Sequence, residues 1–240
     1  MLKSIQINLV IVTIAAICTS CSTDAQEESL WKKDFNISER ILEPTGKNPY
    51  FILEPGFQLV LEGSAGFLGT TDMKLIITVL DETKEVGGIV TRVVEEREWK
   101  NNELYEVARN FFAIDPHTKD VFYFGEEVDF YGNGKIVDHK GAWLVGENDA
   151  QAGMIMPGEP QVGMMYYQEI APEVAMDRAE IIDLNYELET PAGTFSDCLR
   201  TKEGTSLNIS ETEYKTYAAG IGLIQDEKLL LIKYGFTGDK

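Results

Sequence analysis

From Asn48 onward the chain is a succession of short runs rich in Val, Ile, Tyr, Phe and Thr, each broken by Gly, Pro, Asn or Asp. A strand needs only a handful of such residues, and the breakers mark the turns between strands. Strands are expected at 57–62, 73–81, 89–99, 104–114 and 121–127, then at 163–169, 179–189, 193–202, 211–217 and 222–234. Within Tyr131-Gly-Asn-Gly-Lys135 the Asn-Gly pair suits a tight turn between antiparallel strands, because both residues tolerate positive φ. Thr190-Pro-Ala-Gly-Thr194 reads as a second turn, with φ preset by Pro191. Helical spacing never extends past a turn or two, with brief helices possible only near 28–35 and 172–178. A parallel sheet needs long crossover helices, so the expected architecture is all-β and mainly antiparallel. It is one large curved sheet, a barrel or half-barrel, with few short helices.

The first residues carry an export signal. Met1 to Ser4 form a short n-region with Lys3 as its charge, and Ile5 to Ile17 is apolar but too short to remain across a bilayer. Cys18-Thr-Ser-Cys21-Ser-Thr-Asp24 resembles the lipobox of bacterial lipoproteins, in which small residues precede the cysteine that is acylated. Cys21 fits better than Cys18, since Ser20 is small and Ile17 is bulky, although Cys18 stands where the pattern prefers Leu. The resemblance implies a signal peptide over 1–20; the polar, weakly periodic stretch over 21–47 reads as a lipidated tether, and the succession of strands over 48–240 as a single β-rich domain. The resemblance also implies fatty acyl chains such as palmitate on Cys21, and a place in the cell envelope. Ser22 after the anchor fits the outer membrane, on its periplasmic or its surface face. An ordinary secretory cleavage nearby, or a disulfide between Cys18 and Cys21, are the competing readings.

Forty acidic side chains against 21 basic ones give a formal net charge of -19, which repels nucleic acid and anionic headgroups. With Cys18 removed and Cys21 acylated, Cys198 alone remains, so the mature domain holds no disulfide and stands on packing. Cys198 has no nearby histidine in sequence and reads as an inert core thiol.

The chemistry available to the chain is narrow. His117 and His139 are the two histidines, too few for a multi-histidine metal centre. Gly63-Ser-Ala-Gly66 lacks the spacing of a nucleophile elbow, and Gly132-Asn-Gly134 has no following helix to cradle phosphate. No cofactor is expected. Asp115-Pro-His-Thr-Lys-Asp120 gathers oxygen ligands, so Asp115 and Asp120 are weak candidates for calcium, against a plain surface hairpin. Aromatic residues cluster on adjoining runs, and Phe112, Phe122, Phe124, Tyr131 and Trp143 are candidate ligand contacts, against the alternative of core and cross-strand packing.

Several segments in order resemble a family of uncharacterised bacterial secreted and envelope lipoproteins. They are Asn48-Pro-Tyr-Phe51, Val121-Phe-Tyr-Phe-Gly-Glu126, Gly153-Met-Ile-Met-Pro157, Gln161-Val-Gly163 and Gln168-Glu169. Thr190-Pro-Ala-Gly-Thr-Phe195, Cys198-Leu199 and Tyr217-Ala-Ala-Gly-Ile-Gly-Leu223 complete the set. The family carries no assigned catalytic residues, so none transfer here. A remoter likeness, to curved half-barrel envelope proteins that hold acyl chains, bears on fold alone. The functional expectation is a non-catalytic cell-envelope lipoprotein that binds an apolar ligand, a glycan or an envelope protein partner on its sheet, and that meets the membrane through its anchor. The alternative is a carboxylate-based hydrolase of envelope or extracellular glycans, using Glu126 and Asp129.

Overall fold

Each strand-forming run pairs with the next along the chain. The computed structural model describes residues 29–65 and 70–238. The expected signal peptide, Cys21 and the first part of the tether lie outside the described residues. A hairpin of β1 (Gly46–Asn48) and β2 (Phe51–Leu53) comes first. Five long strands follow: β3 (Phe57–Ala65), β4 (Thr71–Val86), β5 (Ile89–Lys100), β6 (Glu103–Ile114) and β7 (Val121–Gly132). Shorter strands come next: β8 (Lys135–Asp138), β9 (Trp143–Leu144), β10 (Gln151–Met156), β11 (Met165–Tyr167) and β12 (Glu169–Ile170). The chain ends with β13 (Asp177–Thr190), β14 (Gly193–Thr205), β15 (Asn208–Ala218), β16 (Gly222–Asp226) and β17 (Leu229–Phe236).

Apart from the first hairpin, these strands make one 15-stranded antiparallel sheet in the order β11-β13-β14-β15-β16-β17-β3-β4-β5-β6-β7-β10-β12, with β8 and β9 also on β7. The two ends of that order belong to one segment. β11 pairs with β13 and β12 pairs with β10, and only Gln168 stands between β11 and β12. The backbone N–H of Gln168 donates to the carbonyl of Asp177 at 2.8 Å. The sheet therefore curls into a nearly closed barrel whose seam is the stretch 165–170, and closure removes the open edges that invite aggregation.

Alternation fixes the inside of the barrel. Leu59 faces Ile77 in register, Ile77 faces Glu96, and Val79 faces Val94. Val94 then faces Asn110, and Phe112 faces Tyr123. On the far wall Thr201 faces Lys215, Lys215 faces Asp226, and Glu203 faces Glu213. The β1–β2 hairpin plugs one end of the barrel. Tyr50, Phe51 and Ile52 border the interior there, Phe51 meets the Phe112 ring edge-on at 5.1 Å, and Gly220 N–H donates to the Pro49 carbonyl at 2.7 Å.

The expected turns are present. Asn133 and Gly134 join β7 to β8 with φ of 53° and 71°, the two positive values that a type I′ turn requires. Pro191 and Ala192 join β13 to β14, where Thr190 pairs with Gly193. Three expectations need correction. No helix forms over 172–178, where Ala171 and Ala175 instead bridge across a turn; the described part of 28–35 is irregular, and a single 3-10 turn follows at Ile37–Glu39. The run at 222–234 is two strands with a turn between them. Residues 31–47 are not a free tether: the compact unit begins at Trp31, Phe35 is 2% exposed, and Lys32 and Glu43 bridge to Tyr166 and Ile114. The apolar side chains that anchor this stretch are widely spaced in a polar context, which is why it reads as linker.

Candidate functional site: an acidic cavity in the barrel

A strand carries charge inward whenever an acidic residue occupies the same face as its apolar neighbours. β5 does so at Glu96, two residues after Val94, and β15 does so at Glu213 and Lys215 before Tyr217. Together with β7, β13, β14 and the seam, these strands enclose a cavity of about 270 Å³. Six carboxyl groups line it, from Glu96, Glu126, Glu169, Asp177, Glu203 and Glu213, and Lys215 is the one basic residue in the lining. Asp177 and Glu213 are exposed, so the cavity communicates with solvent on that side. Toward the plug it adjoins an apolar pocket of about 110 Å³ bordered by Phe51, Leu59, Ile77, Val79 and Ile221, and Glu96, Phe112, Ile155 and Lys215 border both spaces.

Burial and crowding of like charge govern the electrostatics. Burial first, then the charges of Asp226, Glu106 and Glu98, push Glu96 up to about 7 against the opposing pull of Lys215. Glu126 is pushed up to about 8 by burial and by Glu96 and Glu106. Burial with the charges of Asp177 and Glu126 raises Glu169 well above the ordinary carboxylate range. Asp177 and Glu213, exposed at the rim, are likewise raised, chiefly by the loss of hydration where they line the cavity. Lys215 is driven upward by Asp226 and Glu203, so it stays charged. Glu203 is the best-satisfied carboxylate: Thr201 Oγ1 donates to its Oε1 at 2.7 Å, Tyr217 Oη donates at 3.3 Å, and Lys215 Nζ lies 3.5 Å from its Oε2. Glu169 is the opposite case. It is 6% exposed, and although Asp177 and Trp143 are its polar side-chain neighbours, its Oε2 accepts no hydrogen bond of ordinary geometry among the described residues. The nearby Trp143 Nε1 is also buried without a partner. The Tyr123 hydroxyl donates to Asn110 Oδ1 at 2.6 Å, and its ring stacks on Phe112 at 4.7 Å.

The aromatic candidates divide between the two faces of β7 and its neighbours. Phe112 lines the cavity. Trp143 is buried behind the wall, edge-on to Tyr123 at 5.2 Å. Phe122 and Phe124 are buried on the other face of β7 from Tyr123, Phe122 beneath Phe35 and the Arg40 guanidinium. Tyr131 is half-buried at the end of β7, away from the cavity lining. Of the two hydrolytic candidates, Glu126 lines the cavity. Asp129 faces outward, with Arg109 Nη1 at 3.7 Å and His139 Nδ1 at 2.9 Å, so the two carboxylates do not share a site.

The Asp115–Asp120 loop is held by a protein cation. Arg40 Nη1 lies 2.8 Å from Asp115 Oδ2 and 3.2 Å from Asp120 Oδ2. The remaining oxygens are also engaged, Asp115 Oδ1 by the N–H groups of His117 and Thr118, and Asp120 Oδ1 by Gly158 N–H. No group of three or more metal-ligating side chains is found among the described residues. Cys198 is fully buried, and burial raises its thiol. No helix among the described residues is long and apolar enough to cross a membrane.

Glu96, Glu169, Asp177, Glu203 and Lys215 were not singled out from sequence as site residues. A legible signal existed for some: an acidic residue in phase with core positions, as at Glu96 and Glu213, marks either an exposed strand end or a polar interior. No model of a known family matches this chain, and no curated protein or solved structure is similar to it.

Proposed function

We propose that the protein is a non-catalytic lipoprotein of the cell envelope, tethered through acylated Cys21 to the outer membrane, that holds a small ligand inside its barrel. The observation that carries this reading is the acidic cavity lying side by side with the apolar pocket beneath the plug, with Glu96, Phe112, Ile155 and Lys215 bordering both. Concave, partly apolar spaces with a few convergent polar groups are where small molecules bind. The lipobox resemblance supports the anchor, and of the two expected locations, the concave side and the aromatic strands, the cavity favours the concave side. Hydrolysis by Glu126 with Asp129 is disfavoured by their positions on opposite faces of β7.

The reading is tested on full-length protein extracted from its own membrane. Native mass spectrometry is expected to show a bound small molecule that unfolding releases, and Cys21→Ala is expected to shift the protein from the membrane to the soluble fraction. Protein that arrives empty and takes up nothing from an envelope extract contradicts the proposal. Turnover of a glycan panel that Glu126→Gln abolishes would establish the hydrolase instead.

A further inference from the structure

We infer that the cavity is built for an organic cation, an amine whose ammonium group sits among the carboxyl groups at Glu169 and whose apolar body extends into the pocket beneath the β1–β2 plug. This rests on the carrier reading and names the class of its ligand. The first observation is the imbalance of the lining, six carboxyl groups against one lysine, and that lysine is committed to Glu203 and to its register partner Asp226. The second is independent of the count. Glu169 is more than nine-tenths buried and lines the cavity, and although Asp177 and Trp143 stand beside its carboxyl, its Oε2 accepts no hydrogen bond of ordinary geometry among the described residues. A buried acceptor left unpaired is costly, and an ammonium brings three N–H donors to meet it. Third, the stacked pair Phe112 and Tyr123 offers aromatic surface beside the carboxyl groups, and a cation is drawn to such faces. Finally, the apolar pocket shares Phe112 and Ile155 with the lining of the cavity, which sets hydrocarbon-lined space directly beside the carboxyl groups.

An anion would meet the opposite environment. A neutral apolar ligand would fill the pocket and leave Glu169 unpaired. The cation also explains the fate of the protons. Glu126 is faced by Glu96 on β5, Glu106 and Asn110 on β6, Tyr123 on its own strand, Trp143 on β9, Glu169 on β12 and Asp177 on β13. Glu96 is faced by Glu98 on its own strand, Glu106 on β6, Glu126 on β7, Lys215 on β15 and Asp226 on β16. Near neutral pH Glu126 holds its proton for most of the time and Glu96 for about half of it. An entering ammonium favours their ionised forms, so the protons leave to solvent and affinity rises with pH.

The test uses full-length lipoprotein in a neutral detergent and three probes of equal chain length: hexylamine, hexan-1-ol and hexanoate. Isothermal titration calorimetry near pH 8 is expected to give hexylamine an affinity at least about tenfold above hexan-1-ol, with hexanoate weakest, since one added charge contact is worth about that factor. Hexylamine affinity is expected to fall on going to about pH 6, and Glu169→Gln to lower it about tenfold while leaving hexan-1-ol unchanged. Should Glu169→Gln not fold, Glu126→Gln takes its place. Hexan-1-ol or hexanoate binding as tightly as hexylamine overturns the cation inference while leaving a ligand-carrying barrel. If none of the three binds, the cation inference also falls, and the carrier reading is decided separately by the co-purified molecule.

Discussion

Gly153 on β10 lies so close to the backbone of Gln168 that a β-carbon on it would overlap the Gln168 carbonyl group. Gln168 is the hinge of the seam, passing the chain from the β13 side of the barrel to the β10 side. A methyl group at 153 must push that segment outward, and the backbone it meets cannot rotate away. Gly153→Ala is expected to destabilise the protein by about 2 kcal/mol, in the range of overpacked interiors. Hydrogen exchange should localise the loosening to residues 165–170 and 177–179; an unchanged urea midpoint and unchanged protection would show that the seam has slack.

Arg40 ties the N-terminal stretch to the barrel. Besides Asp115 and Asp120, its guanidinium lies over the Phe122 ring at 4.8 Å and its Nε donates to the Phe35 carbonyl at 2.8 Å. Arg40→Met removes the charge but keeps much of the apolar stem, leaving two carboxylates facing each other. A loss of about 3 kcal/mol in urea unfolding is expected, as when one partner of a largely buried pair is removed. Burial alone would raise Asp115, but the N–H groups of His117 and Thr118 and the Arg40 charge outweigh it and hold the carboxyl below its ordinary value of 3.8. The stabilisation is therefore present above that value and disappears as acid protonates the folded carboxyl. Wild type and Arg40→Met should converge in stability as the pH falls below that value and the folded carboxyl takes up its proton, and a gap that persists once it is protonated would assign the effect to the stem.

The fold was readable because its signals are local. Runs such as Val121-Phe-Tyr-Phe124 and the Asn133-Gly134 turn need only neighbours in sequence to specify strand and hairpin. β10 was hidden because Gly153 interrupts its apolar run and its partners are β7 and the distant seam. The site was hidden for a similar reason. Glu169 and Asp177 come from the seam and β13, and Glu96 from β5, so their convergence is a property of closure. Asp129 and Glu126 looked like a pair because they are close in sequence. The bulge at Gly125 puts Glu126 on the inner face with Tyr123 and leaves Asp129 outside.

Stability should fall as the medium turns alkaline. Glu96 and Glu126 titrate at about 7 and about 8 in the folded chain, above their ordinary value of 4.5, so the folded state holds protons that the unfolded state has released. Their contribution is complete below about pH 4.5 and lost as pH rises through those folded values. Between about pH 5 and about pH 8.5 the urea midpoint is expected to drop, corresponding to roughly 1–3 kcal/mol once partial exposure is allowed for. The double variant Glu96→Gln, Glu126→Gln should flatten the profile. A wild-type profile that is already level over this range would rule out the raised carboxyls.

Lys215 is the counterweight in this crowd. It stands opposite Asp226 in register and 3.5 Å from Glu203, whose own cross-strand neighbour is Glu213, a pairing of like charges that is unfavourable without a cation beside it. Its charge is also the influence that holds Glu96 down against burial and three other acids. Lys215→Met keeps a chain of similar length and removes the charge, so the Glu96 carboxyl should titrate above about 7. Carboxyl-carbon NMR of the wild type and the variant reads this directly, with Asp115, which pairs with Arg40 and does not line the cavity, as an internal reference. Upward movement of Glu96 with Asp115 fixed is the outcome that the geometry requires. If Glu96 stays in place when Lys215 loses its charge, solvent screens the interior far more than the enclosure of these strands implies, and the barrel would lack the electrostatic tension that a bound cation is expected to relieve.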